Sequence, residues 1–97
     1  MLAASVIGWQ LAATRTGGAL AVLRSRDGER PTRLEVVFLG RDGRRQGDSL
    51  SLADAPAAQA ELELAVLGDN LLVAWAETKV VEPEIHLSVI GPGRQLL

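Results

Sequence analysis

Apolar and polar residues alternate with a period of two along much of this chain. Leu62, Leu64 and Val66 interleave with Glu61, Glu63 and Ala65, and Ile85, Leu87 and Val89 interleave with Glu84, His86 and Ser88. Leu34, Val36 and Phe38 are spaced in the same way. Successive strand side chains point to opposite sides of a sheet, so each run predicts a half-buried β-strand. Residues 71–76 are almost continuously apolar, too short a run for a helix, and predict a strand covered on both faces. Turn clusters punctuate these runs: Thr16-Gly17-Gly18, Gly40-Arg41-Asp42-Gly43, Gly68-Asp69-Asn70 and Gly91-Pro92-Gly93. The expected strands are residues 10–15, 19–25, 33–39 and 48–52, then 61–66, 71–76 and 84–90, with another beginning at 95–97. Loops are expected at 26–32 and 79–83, where Pro31 and Pro83 exclude a central strand, and at 53–60 around Pro56.

Sliding the chain against itself by 51 residues brings Leu11 onto Leu62, Gly17 onto Gly68, Leu20 onto Leu71, Val22 onto Val73 and Gly40 onto Gly91. Leu34, Val36 and Phe38 fall on Ile85, Leu87 and Val89 without a gap, and one deletion then aligns Gly43-Arg44 with Gly93-Arg94. Equivalent positions should be buried alike, so these two apolar trios are expected in the core, with Glu35 and His86 wetter.

The chain of 97 residues has room for one small core. Apolar residues at 47% and charged ones at 23% exclude a disordered tail. The only aromatic residues are Trp9, Phe38 and Trp75, which leaves little stacking surface for nucleic acid, and the net charge of −2 argues the same way. With no Cys and one His, disulfides, thiolate metal sites and histidine clusters are excluded. No apolar run is long enough to span a bilayer as a helix, and the first residues lack the positive charge of a signal peptide. The lack of Cys fits a cytoplasmic chain.

Four antiparallel strands per unit of 40 to 50 residues is the pattern of a β-propeller blade. Residues 68–97, with Val73, Trp75, Glu77, Ile85, Leu87 and Gly91 at the marked positions, resemble blades of the bacterial propeller repeats related to the sialidase-type BNR families. The resemblance implies an all-β chain of two four-stranded antiparallel blades, 1–52 and 53–97, the second with its fourth strand incomplete. The catalytic members carry an Asp-box, S-x-D-x-G-x-T-W. Ser25-Arg26-Asp27-Gly28 begins like one, but its Gly comes one place early, the Thr is Thr32, no Trp follows, and the turn lies between the second and third strands. A plain Asp-Gly turn is expected there. Sialidase chemistry in that superfamily also uses a Tyr nucleophile, and this chain has no Tyr.

No residue pattern supports catalysis, a cofactor or a metal. His86 reads as a solvated strand residue between Glu84 and Ser88, and the acidic series as exposed surface. The two Arg-Asp-Gly runs lack the further oxygen ligands of a calcium loop. The candidate ligand or interface residues are Trp75, Trp9, Arg24 and Arg33, the arginines belonging to a set with Arg26, Arg30, Arg41, Arg44 and Arg45. Residues 1–52 balance at +3 and residues 53–97 at −5, which suits contact between unlike ends. Two blades cannot close a ring, so the chain is a fragment of a larger propeller, docks onto other blades, or assembles with copies of itself. Of these a homo-oligomer is expected, a trimer of six blades first and a tetramer of eight second. Residues 1–5 of a neighbour would complete the last strand. The expected role is a structural or protein-interaction scaffold; the alternative is a small carbohydrate-binding propeller using its tryptophans as platforms.

Overall fold

The computed structural model describes residues 5–25, 31–54, 60–77 and 84–97, and among them contains strands and no helix. The strands are β1 (Ser5–Thr14), β2 (Gly17–Ser25), β3 (Pro31–Leu39), β4 (Leu50–Asp54), β5 (Ala60–Leu67), β6 (Asn70–Glu77) and β7 (Glu84–Ile90). Each pairs antiparallel with its neighbour in sequence, giving sheet 1 in the order β1-β2-β3-β4 and sheet 2 in the order β5-β6-β7. The chain is all-β, as alternation predicts. Of the loops expected at 26–32, 53–60 and 79–83, residues 26–30, 55–59 and 79–83 lie outside the described residues. The rest are corrected: Pro31 and Thr32 open β3, where Pro31 takes the first position of an inner strand, Ala53 and Asp54 end β4, and Ala60 opens β5.

Local sequence accounts for the strand ends. The first hairpin turns on Arg15 and Thr16, with Thr14 paired to Gly17, so Gly17-Gly18 opens β2 instead of forming the turn. Gly17 is required there. Its φ is +154°, and a Cβ would lie 2.1 Å from the carbonyl oxygen of Leu39 at the end of β3. Strand β1 starts earlier than expected. Ser5 pairs with Ser25 of the same sheet; residues 1–4 lie outside the described set.

The core lies between the sheets. Ala19, Ala21, Leu23, Leu34 and Val36 of sheet 1 pack against Leu71, Val73, Trp75 and Ile90 of sheet 2. Burying each large aliphatic chain contributes about 1.5–3 kcal/mol. Phe38, Leu50, Leu52, Ala53, Leu62 and Leu64 border this cluster, so β1 contributes least to it.

Corresponding turns of the two sheets lie side by side. Arg15 in the β1–β2 turn pairs with Asp69 in the β5–β6 turn at 3.2 Å, and Arg94 after β7 reaches Gln46 after β3. The turn after β3 is held by Gly40 N–H to Arg44 O, Gly43 N–H to Gly40 O and Gln46 N–H to Phe38 O; the same three bonds recur 51 residues later. Gly43 thus corresponds to Arg94, and both have positive φ, 80° and 62°. No deletion separates them, contrary to the expected alignment with Gly93. In the first hairpins the displacement is 53 residues, since Arg15-Thr16 corresponds to Gly68-Asp69. Gly17 therefore matches Asn70, and the difference of two is taken up between the second and third strands of each sheet.

Unlike faces meet in the core. Sheet 1 turns inward the face carrying Leu34, Val36 and Phe38. Their counterparts Ile85, Leu87 and Val89 lie on the outer face of sheet 2, with Ile85 81% and Leu87 60% exposed. Sheet 2 instead turns inward the side carrying His86, Ser88 and Ile90. The expectation that both trios share the core is corrected accordingly, and so is that of a wet Glu35, which is only 4% exposed. Strand β6 is buried on one side only: Leu71, Val73 and Trp75 are enclosed, whereas Leu72, Ala74 and Ala76 are partly exposed.

Candidate functional site

The outer face of sheet 1 is built by alternate residues of its first three strands. Trp9 pairs with Val22 and Leu11 with Leu20; Val22 then pairs with Glu35, and Leu20 with Val37. Val22 and Val37, in the middle of this face, are buried, while Trp9 is 61% and Leu11 58% exposed. The result is an apolar surface with one charged centre.

That centre is Glu35. Its carboxylate accepts a bond from Arg24 Nε at 2.5 Å and lies 3.5 Å from Arg33 Nη1. The Ser49 hydroxyl lies within reach at 3.4 Å, and Arg45 Nη2 reaches Ser49 at 3.5 Å. Arg24 and Arg33 are themselves cross-strand partners, which brings two guanidinium groups to one carboxylate. A buried carboxylate is tolerable only with such partners. Arg24 and Arg33 were expected as candidate ligand or interface residues, whereas Glu35 was expected only as a wet strand position. The Arg-x-Glu spacing of Arg33 and Glu35, which puts both on one side of a strand, is the signal that points to it.

The outer face of sheet 2 presents Leu67, Leu72, Ala74, Ala76, Ile85, Leu87 and Val89, with Glu63 on its β5 edge. Trp75 is on the opposite, inner side, 6% exposed and stacked on the His86 ring at 5.4 Å. His86 is therefore on the inner side of sheet 2, where its side chain keeps 38% exposure, and its Nε2 lies 3.4 Å from Glu84. Of the four candidate residues, Arg24 and Arg33 meet around Glu35, Trp9 lies on the same outer face, and Trp75 belongs to the core. Trp75 is closed to a sugar ring.

A cleft of about 150 Å³ opens between the sheets at their turn end. Ala19, Phe38, Leu71 and Ile90 are among its walls, and the Arg15–Asp69 pair is at its mouth. Arg94 lies over the Phe38 ring at 4.6 Å and donates to the Gln46 carbonyl and side-chain oxygens at 2.7 and 3.1 Å. These contacts tie the two turn ends together and offset the strain of an arginine at positive φ, about 1–2 kcal/mol. Sequence spacing gives no sign of them, because they depend on how the sheets stack.

Among the described residues no three His, Asp or Glu side chains gather as a metal site would need, and no helix is long and apolar enough to cross a membrane. The assembled features are two apolar sheet faces and a charged cluster. Comparison with protein-family models, with curated proteins and with solved structures finds no match to this chain.

Proposed function

We propose that the chain is a non-enzymatic structural and protein-binding module: two β-propeller blades derived from one repeated unit, which assembles head to tail with copies of itself. One observation carries this reading: the two sheets meet through unlike faces with corresponding turns side by side. The outer face of sheet 2 corresponds to the inner face of sheet 1. The outer face of sheet 1 corresponds to the inner face of sheet 2. A contact already made once within the chain is therefore available again between chains.

The matching extends to side-chain volume. Trp9 and Val22 are paired on sheet 1, and their counterparts Leu62 and Trp75 are paired on sheet 2. Each face thus carries one tryptophan beside one aliphatic residue, with the strands exchanged. Such a contact is heterologous, and repeated rotation closes a ring; three chains giving six blades is the expected closure. An apolar surface on both outer faces is more than a lone two-layer sandwich requires.

The test uses variants that block one face each. Trp9→Glu with Leu11→Glu disables sheet 1, and Ile85→Glu with Leu87→Glu disables sheet 2. Light scattering should show a closed oligomer for the native chain and folded monomers for each variant. Mixed variants should form a 1:1 dimer that grows no further. A folded native monomer at micromolar concentration, or no heterodimer on mixing, would overturn the proposal.

A further inference from the structure

The outer face of sheet 1 carries one half of a cleft whose complete form lies between the two sheets. In the complete cleft the sheet 2 wall includes Leu71, Ile90, Gly91 and Pro92. An open depression of about 400 Å³ on sheet 1 is lined by Gly18, Leu39, Gly40 and Arg41, which are the corresponding positions 53 or 51 residues earlier. Arg15 and Gly43 also line it, standing where Gly68 and Arg94 stand in the complete cleft. The opposite wall of the complete cleft comes from Thr14, Thr16, Ala19 and Phe38. Among the described residues the depression has no such wall. The counterparts of those four residues are Leu67, Asp69, Leu72 and Val89, and Leu67 is 66% exposed.

We infer that the β5–β6 turn of a second copy closes this depression, with its Leu67 and Asp69 where Thr14 and Thr16 stand in the complete cleft. The inference rests on the head-to-tail assembly proposed above and adds to it a register and a charge pair. Charge supports the choice of occupant. On sheet 1 the depression has the guanidinium groups of Arg15 and Arg41 where the complete cleft has Gly68 and Pro92, and Gly43 where the cleft has Arg94, a net gain of one positive charge. The incoming turn carries the carboxylate of Asp69 where the complete cleft has the neutral Thr16. Both changes fall on the two sides of the same contact, and they are of opposite sign. Arg41 is exposed and held at the lip of the depression, its Nη2 lying 3.4 Å from the Arg15 carbonyl oxygen. The second copy's Asp69 would then lie between its own Arg15, whose pair with it is solvent-exposed, and Arg41 of the first chain.

Sedimentation of the full chain across a salt series tests this. Arg41→Glu and Asp69→Lys should each weaken association about tenfold or more and flatten its salt dependence. The two changes combined in one chain should restore association toward the native level. Asp69→Lys also removes the Arg15 pair, so a thermal melt of each variant checks that the fold is kept, and Arg41→Glu supplies the variant that breaks no ion pair within the chain. Native-like association of both single variants, or no recovery in the combined one, would overturn the register. If blocking either sheet face still abolishes assembly in that case, head-to-tail stacking stands while this contact falls. A native chain that stays monomeric overturns both.

Discussion

Leu34 and Ile85 hold the same place in the two sheets, 51 residues apart, yet Leu34 is fully enclosed and Ile85 is 81% exposed. Truncating each to alanine separates the effect of burial from that of residue chemistry. Leu34 pairs with Leu23 on one side and Ala53 on the other, beneath sheet 2. On the β4 side the cavity left by Leu34→Ala is bordered by Ala53, whose methyl group cannot swing in to fill it. A loss of about 3 kcal/mol is expected, within the range of about 2–5 for such truncations. For a domain of this size that lowers the melting temperature by roughly 12–24 °C. Ile85→Ala removes a side chain already in water and should cost under about 0.5 kcal/mol in isolated chains. Urea unfolding followed by tryptophan fluorescence measures both, in protein dilute enough to exclude association. Repeated at high concentration, Ile85→Ala should become destabilising, because assembly stabilises only the native chain and Ile85 lies in the proposed contact. Equal losses for the two variants in dilute protein would refute the assignment of unlike faces.

Glu35→Ala removes the carboxylate that Arg24 and Arg33 share; since the Arg24 side chain is 28% exposed and can reach water, the expected cost is about 2 kcal/mol by chemical denaturation, below that of a fully buried pair, and a loss under about 0.5 would remove Glu35 as the organising charge. Gly43→Ala meets no atom within 4 Å and should cost only its left-handed backbone, about 1–2 kcal/mol, whereas Gly17→Ala must displace the Leu39 carbonyl and should cost about 3 kcal/mol or more; thermal melts that reverse this order would show the Gly17 contact to be wrong. Acrylamide should quench Trp9 readily and Trp75 poorly in dilute protein, with Trp9 becoming protected as concentration rises; quenching independent of concentration would contradict burial of the sheet 1 face.

Alternation and glycine clusters are sufficient to read most strands, because period two and turn chemistry are local properties. They also identify which residues share a side of a sheet. They cannot say which side turns inward when both are apolar, as they are on β2, where Ala19, Ala21 and Leu23 alternate with Leu20 and Val22. Period two is equally blind to a displacement of two residues. Matching Gly17 with Gly68 keeps every apolar position in phase, yet the hairpin register shows that Gly17 corresponds to Asn70. Glu35 is misread for a related reason. A carboxylate in an alternating strand is assigned to solvent, and only the pairing of β2 with β3 brings Arg24 onto it.

The ambiguity between faces is itself informative. A sandwich formed by two sheets and nothing else needs one apolar face on each, and selection would leave the other polar. Here Ile85 and Leu87 remain aliphatic although they are largely exposed, and so do Leu11 and Leu67. The residues that obscure the inward face are the counterparts, in the other sheet, of residues that are enclosed or lie at the border of the core. Leu67 is the exception: its counterpart Thr14 is polar and lines the cleft. The pattern therefore matches a stacking interface used twice, once between the sheets of one chain and once between chains, and a single-use core gives no reason for it.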